Sequence, residues 1–186
     1  GIKVQHGQYA VVKQGNNYTA LTGEFYLLDA ALNIIPTITG EQALAAAKQY
    51  VGARQYAWEQ VDQARRNETN PDKLLILNKY YMEYYPVAEM VIIQNFFDPV
   101  AKKFDIAYKF NIYAADPLTR GYVFVNAHTG KIMFYDKIIK HLSPDYKKTV
   151  DAPKVIPEMQ YILTLTPSMA KHIVQHDPVA YSTTSV

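Results

Sequence analysis

Cysteine is absent from the 186 residues. Disulfides and thiolate metal sites are thereby excluded, while the compartment stays open, because a cysteine-free chain suits a reducing cytosol and a bacterial secreted protein alike. Charge of one sign is also lacking: nineteen basic and seventeen acidic side chains leave a formal net charge of +2. With no run of Lys or Arg to form a phosphate-binding stripe, nucleic acid is not an expected partner. Apolar runs such as Met90 to Ile93 are far shorter than the roughly 20 residues of a membrane helix, so no membrane span is expected. The chain opens on Gly1 without an initiator Met or a basic-then-apolar leader, and is expected to be a processed product. The motifs of several enzyme classes are missing too, among them a Cys nucleophile, the G-x-S-x-G elbow, a phosphate-cradling glycine loop and a dinucleotide fingerprint.

What is present is apolar and aromatic. Hydrophobic residues make up 49% of the chain, enough for a packed core of one ordinary domain or two small ones, and sixteen residues are tyrosine. Several tyrosines alternate with apolar residues as on a half-buried pleated surface, which favours sheet over helix bundle. Ile2 to Val12 and Tyr18 to Leu28 read as strands, joined into a hairpin by Gln14-Gly15-Asn16-Asn17. Thr39-Gly40-Glu41-Gln42 is a capping box, and a helix is expected from there through Ala43, Leu44, Ala47 and Val51 to a left-handed stop at Gly52. Residues 59–70 are polar and charged. Asn70-Pro71-Asp72 then supplies a cap and a first-turn proline for a second helix to about Met82, ended by Pro86. The tyrosines between Tyr80 and Tyr85 are read as a patch packing on a sheet in preference to a ligand-stacking site.

Four further runs predict an antiparallel meander: Ala88 to Gln94, Phe104 to Ala114, Gly121 to Ala127 and Lys131 to Ile139. Asp116-Pro117-Leu118-Thr119 connects the second to the third, and His128-Thr129-Gly130 turns the third into the fourth. From His141 onward, prolines at 144, 153, 157, 167 and 178 break weakly periodic sequence. An extended tail is expected there, with only Ile162 to Leu165 strand-like.

The histidines are the main candidates for chemistry. His172 and His176 lie four apart and would turn to one side of a helix as metal ligands. A zinc peptidase, however, needs Glu after the first His to take the proton from metal-bound water, and Ile173 stands there. With little helical pattern and no third ligand, the pair is read as no metal site. His6 and His141 read as surface residues at strand edges, His128 as part of a turn. Glu41, Asp98 and Asp116 are accounted for by caps and turns, so no catalytic residue is assigned.

Particular stretches resemble a known family. Gly1-Ile2-Lys3-Val4, followed by Leu21-Thr22-Gly23-Glu24-Phe25-Tyr26 and the capped helix, resembles the fungalysin/thermolysin propeptide (FTP) motif. Glu89 to Ile93, the run Ala107 to Leu118 and the run Val123 to Ile132 look like a PepSY domain, the last two being the most specific. The residues that carry this likeness are Tyr113, Ala115, Asp116, Pro117, Asn126, Thr129, Gly130 and Lys131. The resemblance covers roughly residues 1–140 and agrees with the pattern reading of an α+β fold. Two successive helix-on-antiparallel-sheet, cystatin-like subdomains are expected: 1–58 as the later part of the FTP unit, 59–86 as a helical connector, 87–140 as the PepSY unit and 141–186 as the tail.

The resemblance implies the propeptide of a secreted or periplasmic thermolysin-like zinc metalloprotease. Such a chain acts without catalysis of its own as intramolecular chaperone and inhibitor of its catalytic domain, and is then cut away. It would carry no cofactor; zinc, and calcium beside it, would belong to the cognate catalytic domain, its expected partner. The alternatives are a stand-alone secreted PepSY-type inhibitory or binding module, and a zinc enzyme built on the tail histidines.

Overall fold

The computed structural model describes residues 1–24, 26–98, 103–139 and 155–177. The chain is α+β. In order it forms β1 (Lys3–Val4), β2 (Gln8–Gln14), β3 (Asn17–Glu24), α1 (Gly40–Val51), β4 (Gln55–Tyr56), α2 (Ala57–Asn67), α3 (Pro71–Tyr84), β5 (Glu89–Gln94), β6 (Phe104–Asp116), β7 (Leu118–Asn126), β8 (Ile132–Lys137), α4 (Pro157–Thr164) and α5 (Pro167–His176). Five strands follow the order β1-β5-β6-β7-β8, with β4 pairing onto β6, and β2 and β3 make a separate two-stranded sheet.

The meander is present as expected, with β5 and β6 antiparallel from Glu89 opposite Lys109 to Gln94 opposite Phe104. The first expected strand, in contrast, breaks in two. His6 takes a left-handed φ of 63°, so Lys3 and Val4 leave the hairpin and pair in parallel with Val91 and Ile92. Only Gln8 onward pairs with β3, across the expected turn at Gly15.

The chain divides into two compact units, each drawn from three stretches and not from the contiguous blocks read from the sequence. The first comprises 1–47, 88–110 and 123–135. Its core includes Ala43 and Ala47 of α1 with Val91, Ile93, Ile106, Val125 and Met133. The capping box forms at the start of α1: Gln42 N–H donates to Thr39 Oγ1 at 3.2 Å, and Thr39 N–H to Gln42 Oε1 at 2.9 Å.

The second unit comprises 48–87, 111–122 and 136–186. Gly52, at φ 63°, ends α1. Residues 59–86 are more than a connector, because α2 and α3 supply buried Trp58, Val61, Ile76, Leu77 and Tyr84 to the core of this unit. Asn70 caps α3 by accepting the Lys73 N–H at 2.9 Å, with Pro71 in the first turn.

The expectation for the C-terminal stretch needs correction where it is described. Residues 157–176 form two helices, and Ile162 to Leu165, expected to be strand-like, closes α4 with Ile162 and Leu165 buried. The physical reason is the position of the prolines. Pro157 and Pro167 sit in the first turns, where the missing N–H is no loss and the fixed φ favours the helix, and Thr166 Oγ1 caps the second by accepting the Met169 N–H. The remainder of the expected tail, His141 with it, lies outside the described residues.

Candidate functional site

The eight residues of the family likeness divide equally between the two units, so they form two places. In the first unit, β7 ends at Asn126, which at 7% exposure is one of two buried polar side chains, with Gln60, among the described residues. Its Oδ1 accepts the N–H groups of His128 (2.9 Å) and Thr129 (2.8 Å), while its Nδ2 donates to Asp105 Oδ2 at 2.7 Å. Gly130 follows at φ 70°, a conformation an L side chain rarely adopts, and Thr129 Oγ1 accepts the Lys131 N–H at 3.3 Å. The turn is thus closed by its own side chains.

His128 projects from this turn and is more than a turn residue. Nδ1 lies 3.1 Å from Thr37 Oγ1, and Nε2 lies 3.1 Å from the Asn33 carbonyl oxygen and 3.4 Å from Asp105 Oδ1. A hydroxyl, an imidazole and a carboxylate in line suggest acyl chemistry, but the surroundings do not supply it. The nearby Thr37 and Ile38 N–H groups, which could have stabilised an oxyanion, both donate to the Ala127 carbonyl at 2.9 and 3.1 Å. The arrangement is a latch that ties the segment 33–38 to the turn. Sequence reading missed Asp105 and Thr37 because nothing local marks them.

In the second unit, Tyr113 on β6 donates to Glu158 Oε2 of α4 at 3.3 Å and meets the ring of Tyr84 edge-on, 5.3 Å between centroids. Arg120 lies 5.0 Å over the same Tyr113 ring and donates through Nε to Asn111 Oδ1. Burial first, then the Glu158 carboxylate, push the Tyr113 hydroxyl up to about 12 against the opposing pull of Arg120. Burial pushes Tyr84 further in the same direction. Both phenols therefore remain protonated and are unsuited to take up protons near neutrality. The tyrosine patch at 80–85 does pack on a sheet through Tyr84. Ala115 is 1% exposed. Asp116, expected to serve only a turn, is gripped by Arg54 at 2.7 and 2.9 Å, and Pro117 is the single residue between β6 and β7.

The same unit holds a cavity of about 510 Å³, lined by residues that include Gln63 and Asn67 of α2, Lys73 and Leu77 of α3, and Met159 and Ile162 of α4. Gln60, which also lines it, is consumed structurally, accepting the Ile156 N–H at 3.1 Å and donating to Gln55 at 2.8 Å.

His172 and His176 do share a helix, contrary to the weak pattern there, and their rings are 4.2 Å apart. Among the described residues no three His, Cys, Asp or Glu side chains gather as a metal site, and no helix is long and apolar enough to cross a membrane. No protein family, curated protein or solved structure matches this chain.

Proposed function

We propose that this chain is a prosegment: the FTP- and PepSY-like propeptide of a secreted thermolysin-like metalloprotease, which assists folding of the catalytic domain and inhibits it until removed. The observation that carries this reading is the turn after β7. Three of the residues that carry the family likeness, Asn126, Thr129 and Gly130, have conformational work there, in a buried carboxamide and a left-handed glycine. A likeness in such residues speaks for a shared backbone and needs no shared chemistry.

The reading is also consistent in mechanism. A kinetically stabilised secreted protease gains from a template that lowers its folding barrier, and release then requires destruction of that template. The cognate partner would be the catalytic domain, with its metal ions held there.

The test adds the purified chain to a thermolysin-like protease encoded in the same reading frame, and separately to that protease during refolding from denaturant. Inhibition at micromolar chain and a raised refolding yield are expected. Neither effect at that concentration, or a reading frame lacking any H-E-x-x-H domain, would overturn the proposal in favour of a stand-alone binding module.

A further inference from the structure

The pair His172 and His176 has no part in the clusters described above or in the prosegment role. Two features weighed against a metal there: little helical pattern and no third ligand. The fold removes the first. Pro167–His176 is a helix, capped at its start by Thr166 Oγ1 and anchored by buried Ala170. Residues four apart on a helix lie on one face, a turn above each other. Both side chains are exposed, and neither is hydrogen-bonded to another described residue. Their rings meet at 63° with centroids 4.2 Å apart.

That spacing is close to what one shared ion requires. With metal–nitrogen bonds of about 2.0 Å and a ring centre about 1.1 Å beyond the nitrogen, two imidazoles on one ion have centroids about 4.4 Å apart at a right angle and about 5.1 Å apart at the tetrahedral angle. The observed 4.2 Å fits the right angle. Turning each ring to aim a nitrogen at the ion costs little, because the outer torsion of histidine is broad and no hydrogen bond has to break. Position adds a smaller contribution. His176 is the last residue of α5, where the carbonyl end of the helix carries partial negative charge and favours a cation.

We propose that His172 and His176 form a two-imidazole site for a tetragonal divalent transition metal, copper(II) above all. Right-angled nitrogen pairs suit copper(II) and nickel(II) better than tetrahedral zinc, and copper(II) heads the affinity order for such ligands. No third His, Cys, Asp or Glu joins the pair among the described residues, so water completes the coordination. With about half the protein ligands of a structural zinc site, a dissociation constant on the order of micromolar is expected. Ile173 follows His172, so the site has no carboxylate base beside its first ligand. Its effect is to tie the last turn of α5 together and to stabilise that helix by mass action.

The whole chain is titrated with copper(II) chloride, followed by calorimetry and by electron paramagnetic resonance. One ion per chain should bind at that affinity with the signature of two nitrogen ligands, and nickel(II) should bind more weakly. His172→Ala and His176→Ala should each weaken binding at least about 10-fold. Both side chains are exposed, so the substitutions leave the core intact, and the other histidines, kept in every variant, give the background. A loss below about 3-fold in either variant, or affinity kept when both are replaced, would put copper elsewhere and overturn the proposal. A spectrum with fewer than two nitrogens overturns it as well, as does zinc(II) bound as tightly as copper(II).

Discussion

Asn126 combines three roles in one side chain. It is buried, it closes the turn on two backbone N–H groups, and it holds the Asp105 carboxylate. Truncation to Ala leaves those groups without their partner, and a loss of about 2 kcal/mol is expected in urea unfolding. A loss under about 0.5 kcal/mol would mean that the turn stands without it. Tyr113 makes a second residue-scale prediction. Its folded value of about 12 exceeds the unfolded value of about 10, so its contribution is complete below about pH 10 and is lost as pH rises through about 12. Stability should fall across that window, and Tyr113→Phe should fall less steeply, the remaining slope coming from Tyr84, raised in the same sense. At this scale the turn itself was legible from His128 to Gly130, while Asn126, which closes it, was read as strand. Its partners were not, because Asp105 is 21 positions and Thr37 some 91 positions from the side chains they meet.

At the scale of elements, local chemistry decides what the sequence reveals. α1 and α3 were legible because Thr39, Gln42 and Asn70 cap them from within three residues. α2 was read only as part of a helical connector with no helix placed in it, since its sequence is dominated by polar residues and its buried face, Ala57, Trp58, Gln60 and Val61, is short and mixed. α4 and α5 were misread because proline was treated as a breaker where it is a first-turn residue. The hairpin was legible from its turn, though not its isolation. Its weak point is Gly23, at φ 144°, where an added Cβ would collide with the Gln8 carbonyl oxygen and lie 2.5 Å from Tyr9 Cα. Gly23→Ala is expected to open β2 from β3, removing amide protection in 8–24. The main unfolding midpoint should barely move, because no hairpin residue is buried. A midpoint lowered by more than about 5 °C would mean that the ribbon supports the core.

For the whole molecule, the prosegment reading links stability to function in a way that one variant can expose. A bound inhibitor that is also a substrate lasts only as long as it stays folded, because cleavage proceeds from opened states. Asn126→Ala removes about 2 kcal/mol without touching an exposed surface, which raises the opened fraction roughly 30-fold. Mixed with the cognate protease, the variant should match wild type in initial inhibition and then lose it many times sooner, with cleavage of the chain running in step on a gel. Equal lifetimes for the two proteins would separate inhibition from folding and leave the chain as a binder that its protease does not consume. Weaker initial inhibition by the variant would instead put the turn after β7 in the inhibitory contact itself.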